Sequence, residues 1–161
     1  MVSPASPRRA VAPSRMRIVI ILAVAAAAAI VVNAGIAALA LAAGAPAGYG
    51  PLTPPAFALF TVLGVVAGWI GWTQVQRRAR DPRRTLRVLV PVLTLLSLVP
   101  DVLLMTLRFI PGTTTGAAVA LMAMHLVVVA VAVPAYVLAS RPSAARGRVG
   151  LTGQPDSRIA G

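Results

Sequence analysis

The chain has 161 residues, 58% of them hydrophobic, with 15 basic residues, only three acidic ones and no cysteine. The lack of cysteine excludes a disulfide framework and thiolate metal sites. A net charge of +12 would fit nucleic-acid binding in a soluble protein, but aromatic residues make up only 4%, which leaves little to stack on bases, so no nucleic-acid partner is expected.

The apolar residues are gathered into four long blocks. That is the pattern of membrane spans, not of a globular core. The expected fold class is all-α: a polytopic membrane protein built as an antiparallel four-helix transmembrane bundle.

In chain order, residues 1–17, MVSPASPRRAVAPSRMR, are rich in Pro, Ser, Ala and Arg. They bury too little apolar surface to order themselves and read as a disordered tail. The first span covers about residues 18–43, with Asn33 as its one polar side chain. Its basic flank and the Ala-x-Ala at Ala38–Ala40 resemble a cleaved signal, but the apolar run is too long for one and Asn33 interrupts it.

A loop without charge, GAPAGYGPLTPP, leads to Thr53 and Pro54. Threonine followed by proline suits the N-cap and first position of a helix. The second span, about 56–75, contains Thr61 and the face Gly64, Gly68, Gly71. Glycines at this spacing let helix backbones approach closely in lipid. The expected partner is another helix of the same chain, with a homo-oligomer interface as the alternative. Trp69 and Trp72 sit towards the far end, where interfacial anchors tend to lie.

The segment QRRARDPRRTLR holds six arginines, and its Asp81–Pro82 pair predicts the start of the next helix. The third span, about 88–110, carries Pro91, Pro100 and Asp101. Pro100 has no amide hydrogen and leaves the Leu96 carbonyl without its helical donor, so a kink is expected, with Ser97 or a water meeting the freed oxygen. Thr94, Ser97, Asp101 and Arg108 share one face at helical spacing, which should point inwards. The fourth span, about 117–138, contains His125 and Pro134. Residues 141–161 read as a second disordered tail.

Fourteen of the fifteen arginines fall on the two tails and the middle loop, and only Arg108 falls on the other side. The positive-inside rule then places both termini and the middle loop in the cytoplasm of a multi-pass protein of the cell membrane. The middle loop's arginines can also rest on anionic lipid.

The segments LTPPAFALFTVLGVVAGW, RRARDPRRTLR, LLSLVPD and ALMAMHLVVVAVAVP together resemble a family of small four-span proteins from actinobacteria, a domain of unknown function. The resemblance covers roughly residues 18–140. It implies the four-helix membrane fold and carries no activity, substrate or cofactor.

An aspartate at the centre of a membrane helix costs ~2.5–3.5 kcal/mol on insertion scales. Counting ~1.5 Å per residue from each span's edge puts Asp101, His125, Asn33 and Thr61 all at ~18–22 Å from the cytoplasmic side. Each span thus brings one hydrogen-bonding side chain to a similar level, and an Asp101–His125 pair is the natural expectation. Such a cluster fixes which helices neighbour which, or forms a proton- or ion-responsive site, since histidine can titrate near neutral pH. Arg108 is expected to snorkel to the outer headgroups.

The function expected is that of a non-enzymatic structural or interaction component, meeting lipid and a membrane partner protein or further copies of itself. A single histidine and one intramembrane aspartate are a thin catalytic set. The alternative is a small proton- or ion-coupled transporter or channel. Four helices leave little room for a pathway, so that alternative requires an oligomer around Asp101 and His125. No cofactor is implied.

Overall fold

The computed structural model describes residues 14–142. The greater part of both expected tails lies outside these residues. The described chain runs through α1 (Arg15–Ala42), a 3-10 turn (Gly50–Leu52), α2 (Pro54–Arg78), α3 (Pro82–Ser97), α4 (Val99–Leu107) and α5 (Thr115–Ser140). Helix α1 starts earlier than the apolar run, because Ser14 accepts a hydrogen bond from the Arg17 amide and caps it. Arg15 to Arg17, expected in the tail, are therefore helical.

Four helical stretches, counting α3 and α4 as one, are long and apolar enough to cross a membrane. Their large side chains point outwards: Val31 and Leu39 are each 72% exposed and Phe60 69%. In water such a surface would aggregate. In hydrocarbon it is the solvated face, and the helices meet through close packing, which small residues favour, and through polar contacts.

The interior shows this. Helix α1 buries Ala25, Ala29, Asn33 and Ala37, one residue per turn. It packs most extensively on α5, which buries Ala117, Ala118, Ala120, Ala132, Ala135 and Ala139. Alanine on both faces brings the two backbones close, and dispersion contacts accumulate over the whole length. Arg17 ties the ends together by donating to the Leu138 and Arg141 carbonyls at the C-terminus of α5, where the helix dipole favours a cation. Helix α2 packs on α1, α5 and α3, while α4 packs on α5. The bundle is thus α1, α2, α3–α4 and α5, with successive spans antiparallel.

At the end away from the arginine-rich loop, Tyr49 and Leu52 plug the bundle against Phe57, Leu104, Ala117 and Leu121. Thr113 donates to the Ile110 carbonyl at 2.7 Å, and its oxygen lies 3.3 Å from the Tyr49 hydroxyl. Gly112 turns this loop at φ 82°, with Pro46 and Tyr49 packed beside it; a side chain there would be strained.

Both expected helix starts are present. Asp81 accepts from the Arg84 amide at 3.1 Å. Asp81→Ala should cost about 1 kcal/mol, the usual loss for a deleted N-cap, and Asp81→Asn should recover most of it; thermal unfolding in mild detergent reads both. Thr53 holds the N-cap position of α2, but its hydroxyl donates to the Gly50 carbonyl at 2.6 Å instead of accepting from the helix.

The third span breaks as Pro100 demands. The Leu98 amide bonds to Leu95 at 3.2 Å and the Asp101 amide to Leu98 at 3.1 Å, both tightened i→i−3 links, and the helix restarts at Val99. Ser97 does not rescue the Leu96 carbonyl. Its hydroxyl donates to the Thr94 carbonyl at 2.7 Å, one turn back. Thr94 and Ser97 are half-buried and Asp101 is buried, so the polar stripe faces inwards up to that point, whereas Arg108 is exposed. Arg108 ends α4 in a left-handed conformation, φ 48°, with its amide on the Leu104 carbonyl, an αL-type cap built without glycine.

Candidate functional site: a polar layer in the bundle

Register places the four polar residues at one level. Arg17 reaches Leu138 and Arg141, and Ala37 packs in the cluster of Ala117 and Ala120. Asn33 therefore lies across from the stretch around His125. Val65 bonds to Tyr136 and Gly64 faces Val128, which sets Thr61 against the same stretch.

The layer consists of two contacts, one on each side of the bundle. Asn33 donates from Nδ2 to Thr61 Oγ1 at 3.0 Å, with both residues almost wholly buried. This bond joins α1 to α2. On the other side Asp101 Oδ2 stands 3.0 Å from His125 Nδ1, joining α4 to α5. No hydrogen bond among the described residues links one pair to the other, so the expected four-member cluster is split in two.

The Asp101–His125 geometry is specific. His125 Nδ1 also lies 2.9 Å from the Leu121 carbonyl, one turn back on its own helix. A carbonyl only accepts, so Nδ1 must carry the hydrogen. One N–H cannot align well with both oxygens, and Asp101 Oδ2 is left without a well-directed hydrogen bond despite the short distance. Asn33 Oδ1 is the other buried acceptor with no donor. The aspartate side chain is only 4% exposed, the imidazole 43%. Its Nδ1 edge is spent inside the bundle. Its Nε2 edge receives no hydrogen bond among the described residues.

The glycine face is divided too. A Cβ on Gly64 would meet Val128 at 3.6 Å, an ordinary contact. One on Gly68 would land on the Tyr136 hydroxyl, with the ring at 3.2 Å. One on Gly71 meets nothing within 4 Å. Gly64 and Gly68 thus serve packing within the chain, against α5. At the level of Gly71 the contact is made by long side chains, since Trp72 Nε1 donates to Ser140 Oγ at 3.1 Å and Gln76 reaches the same oxygen at 3.3 Å.

Tyr136 is the residue that sequence reasoning missed. Its hydroxyl donates to the Val65 carbonyl at 2.7 Å, and its ring lies 5.8 and 5.7 Å from those of Trp69 and Trp72. The two tryptophans, expected as interfacial anchors, also clamp this ring. The available signal was Gly68 beside a tryptophan pair: a missing side chain flanked by two large ones marks a slot.

Fold and site together define a small, multi-pass, all-helical membrane protein with a thin polar layer inside an alanine-packed bundle. The chain belongs to a family of unknown function, DUF6069, which matches residues 11–142. No curated protein and no solved structure matches it.

Proposed function

We propose that this protein is a non-enzymatic interaction component of the cell membrane, with both termini and the arginine-rich loop in the cytoplasm, and that His125 receives a partner helix. The observation that carries this reading is the half-exposed imidazole midway along α5, tied at Nδ1 and open at Nε2. Ionisable side chains at that depth nearly always face the interior or another polar group. In an imidazole whose single hydrogen is on Nδ1, Nε2 is an acceptor. A second copy presenting its own His125 would bring acceptor to acceptor. A helix bearing a hydroxyl, amide or other donor satisfies it. The residue inventory supports a non-enzymatic role: there are three acidic residues, one histidine and no cysteine in the whole chain.

A photo-crosslinking residue at Leu126, which is exposed beside His125, tests this in native membranes. A discrete protein adduct is expected at Leu126, absent when the probe sits at Val31 on α1 and lost in His125→Leu. Adducts with lipid alone, or a product unchanged by His125→Leu, overturn the reading.

A second reading rests on Asp101 Oδ2 and Asn33 Oδ1, two buried acceptors at one level that lack donors. Such oxygens suit a proton or small cation, and an oligomer would supply the pathway. Proton flux in liposomes that Asp101→Asn abolishes would favour it over the first.

A further inference from the structure

Between the end of α2, the start of α3 and the end of α5 opens a cleft of about 970 Å³. Helix α3 buries no residue fully, and the cleft lies where it meets α2 and α5. Its mouth is lined by Arg80, Arg83, Arg87 and Arg141. Among the described residues no ion pair engages any of these guanidiniums. The one carboxylate at the mouth, Asp81, is occupied in capping α3. Its apolar walls include Val90, Val133 and Val137. The site is therefore cationic at its rim and apolar within, and it sits where the spans meet the aqueous edge.

We infer that this cleft binds one anionic phospholipid, its phosphate held by the arginine rim and its upper acyl chain laid along the valine wall. Guanidinium matches phosphate through paired, charge-assisted hydrogen bonds. Basic pockets between membrane helices on the cytoplasmic side are the places where anionic headgroups dock. A free anion would use the rim and leave the apolar wall unfilled. A soluble acidic peptide would have no use for a wall continuous with hydrocarbon. The leaflet assignment rests on the cytoplasmic orientation proposed above, but the binding itself does not, so the two fail separately.

Native mass spectrometry of the full-length protein, released from micelles doped with equal phosphatidylglycerol and phosphatidylcholine, tests the site. Wild type should retain one phosphatidylglycerol in preference to phosphatidylcholine. Removing two rim charges in Arg83→Gln/Arg87→Gln should reduce that preference by about tenfold or more, since each basic residue near an anionic headgroup is worth about fivefold. Arg80→Gln/Arg141→Gln should act similarly, covering the case in which the first variant folds poorly. Arg77→Gln/Arg78→Gln removes the same charge outside the cleft and should leave the preference intact. Equal loss in that control would mean surface charge only. Displacement of the lipid by inorganic phosphate alone would mean an anion site. Either result, or no preference in wild type, overturns the inference.

Discussion

Gly68→Ala is expected to destabilise the bundle by about 2–4 kcal/mol, combining the cost of overpacking a filled site with the loss of a buried hydrogen bond. The added methyl group would occupy the position of the Tyr136 hydroxyl. A side-chain tip can often swing aside, but this one is held by its bond to the Val65 carbonyl and by tryptophan rings on α2. Moving it frees a buried carbonyl and loosens the contact between α2 and α5. Gly71→Ala is the internal control, since nothing lies within 4 Å of the added atom; it should be neutral or slightly stabilising, as alanine is the better helix former. Tyr136→Phe removes the obstructing oxygen. Alone it should cost about 1 kcal/mol, and combined with Gly68→Ala it should cost less than the sum of the two, which a double-mutant cycle of unfolding in detergent measures directly. Equal losses for Gly68→Ala and Gly71→Ala would show that the slot does not hold α2 to α5.

His125→Ala should destabilise more than Asp101→Leu, although the aspartate is the more deeply buried partner. Removing the imidazole leaves a carboxyl group in the bundle with nothing facing Oδ2, and orphaning one member of a buried pair costs about 3–5 kcal/mol in soluble proteins. Polar contacts between membrane helices average nearer 0.6 kcal/mol, so a loss of about 2 kcal/mol is expected here. Asp101→Leu instead fills the site with an apolar group of similar size and leaves His125 its bond to the Leu121 carbonyl; replacement of buried ionic groups in this way is often neutral or stabilising. In the Asp101→Leu background His125→Ala should therefore lose most of its effect. Thermal midpoints of the four proteins in one detergent decide it. Additive losses would mean that the 3.0 Å approach of Nδ1 and Oδ2 carries no coupling.

The bundle was legible because hydropathy reports membrane burial directly. The caps at Ser14 and Thr114 moved two helix ends by a turn or less, since a hydroxyl can hold a helix start outside the apolar run. The Asp101–His125 contact was legible because a buried acid has few ways to be tolerated. Its combination with Asn33 and Thr61 into one cluster was not, because depth along each helix fixes a level and says nothing about rotation around the axis. The buried face of α1 gave no periodic signal either. Alanine fills every position from Ala25 to Ala29, so only Asn33 marks which side turns inwards. Tyr136 went unread because its partner is a backbone carbonyl on α2, and no side-chain pattern points to a carbonyl.

The break at Leu98 gives the third span two unequal halves. Beyond Pro100 the outer piece is moored by Asp101 and Leu104. The inner piece, α3, is capped by its own aspartate and locked by its own hydroxyls, yet buries nothing fully against its neighbours. Pro91 interrupts its hydrogen-bond ladder, and α3 rests on α2, α4 and α5 without burying a residue fully. Arg83, Arg84 and Arg87 at its start are thus carried on the helix that the bundle buries least.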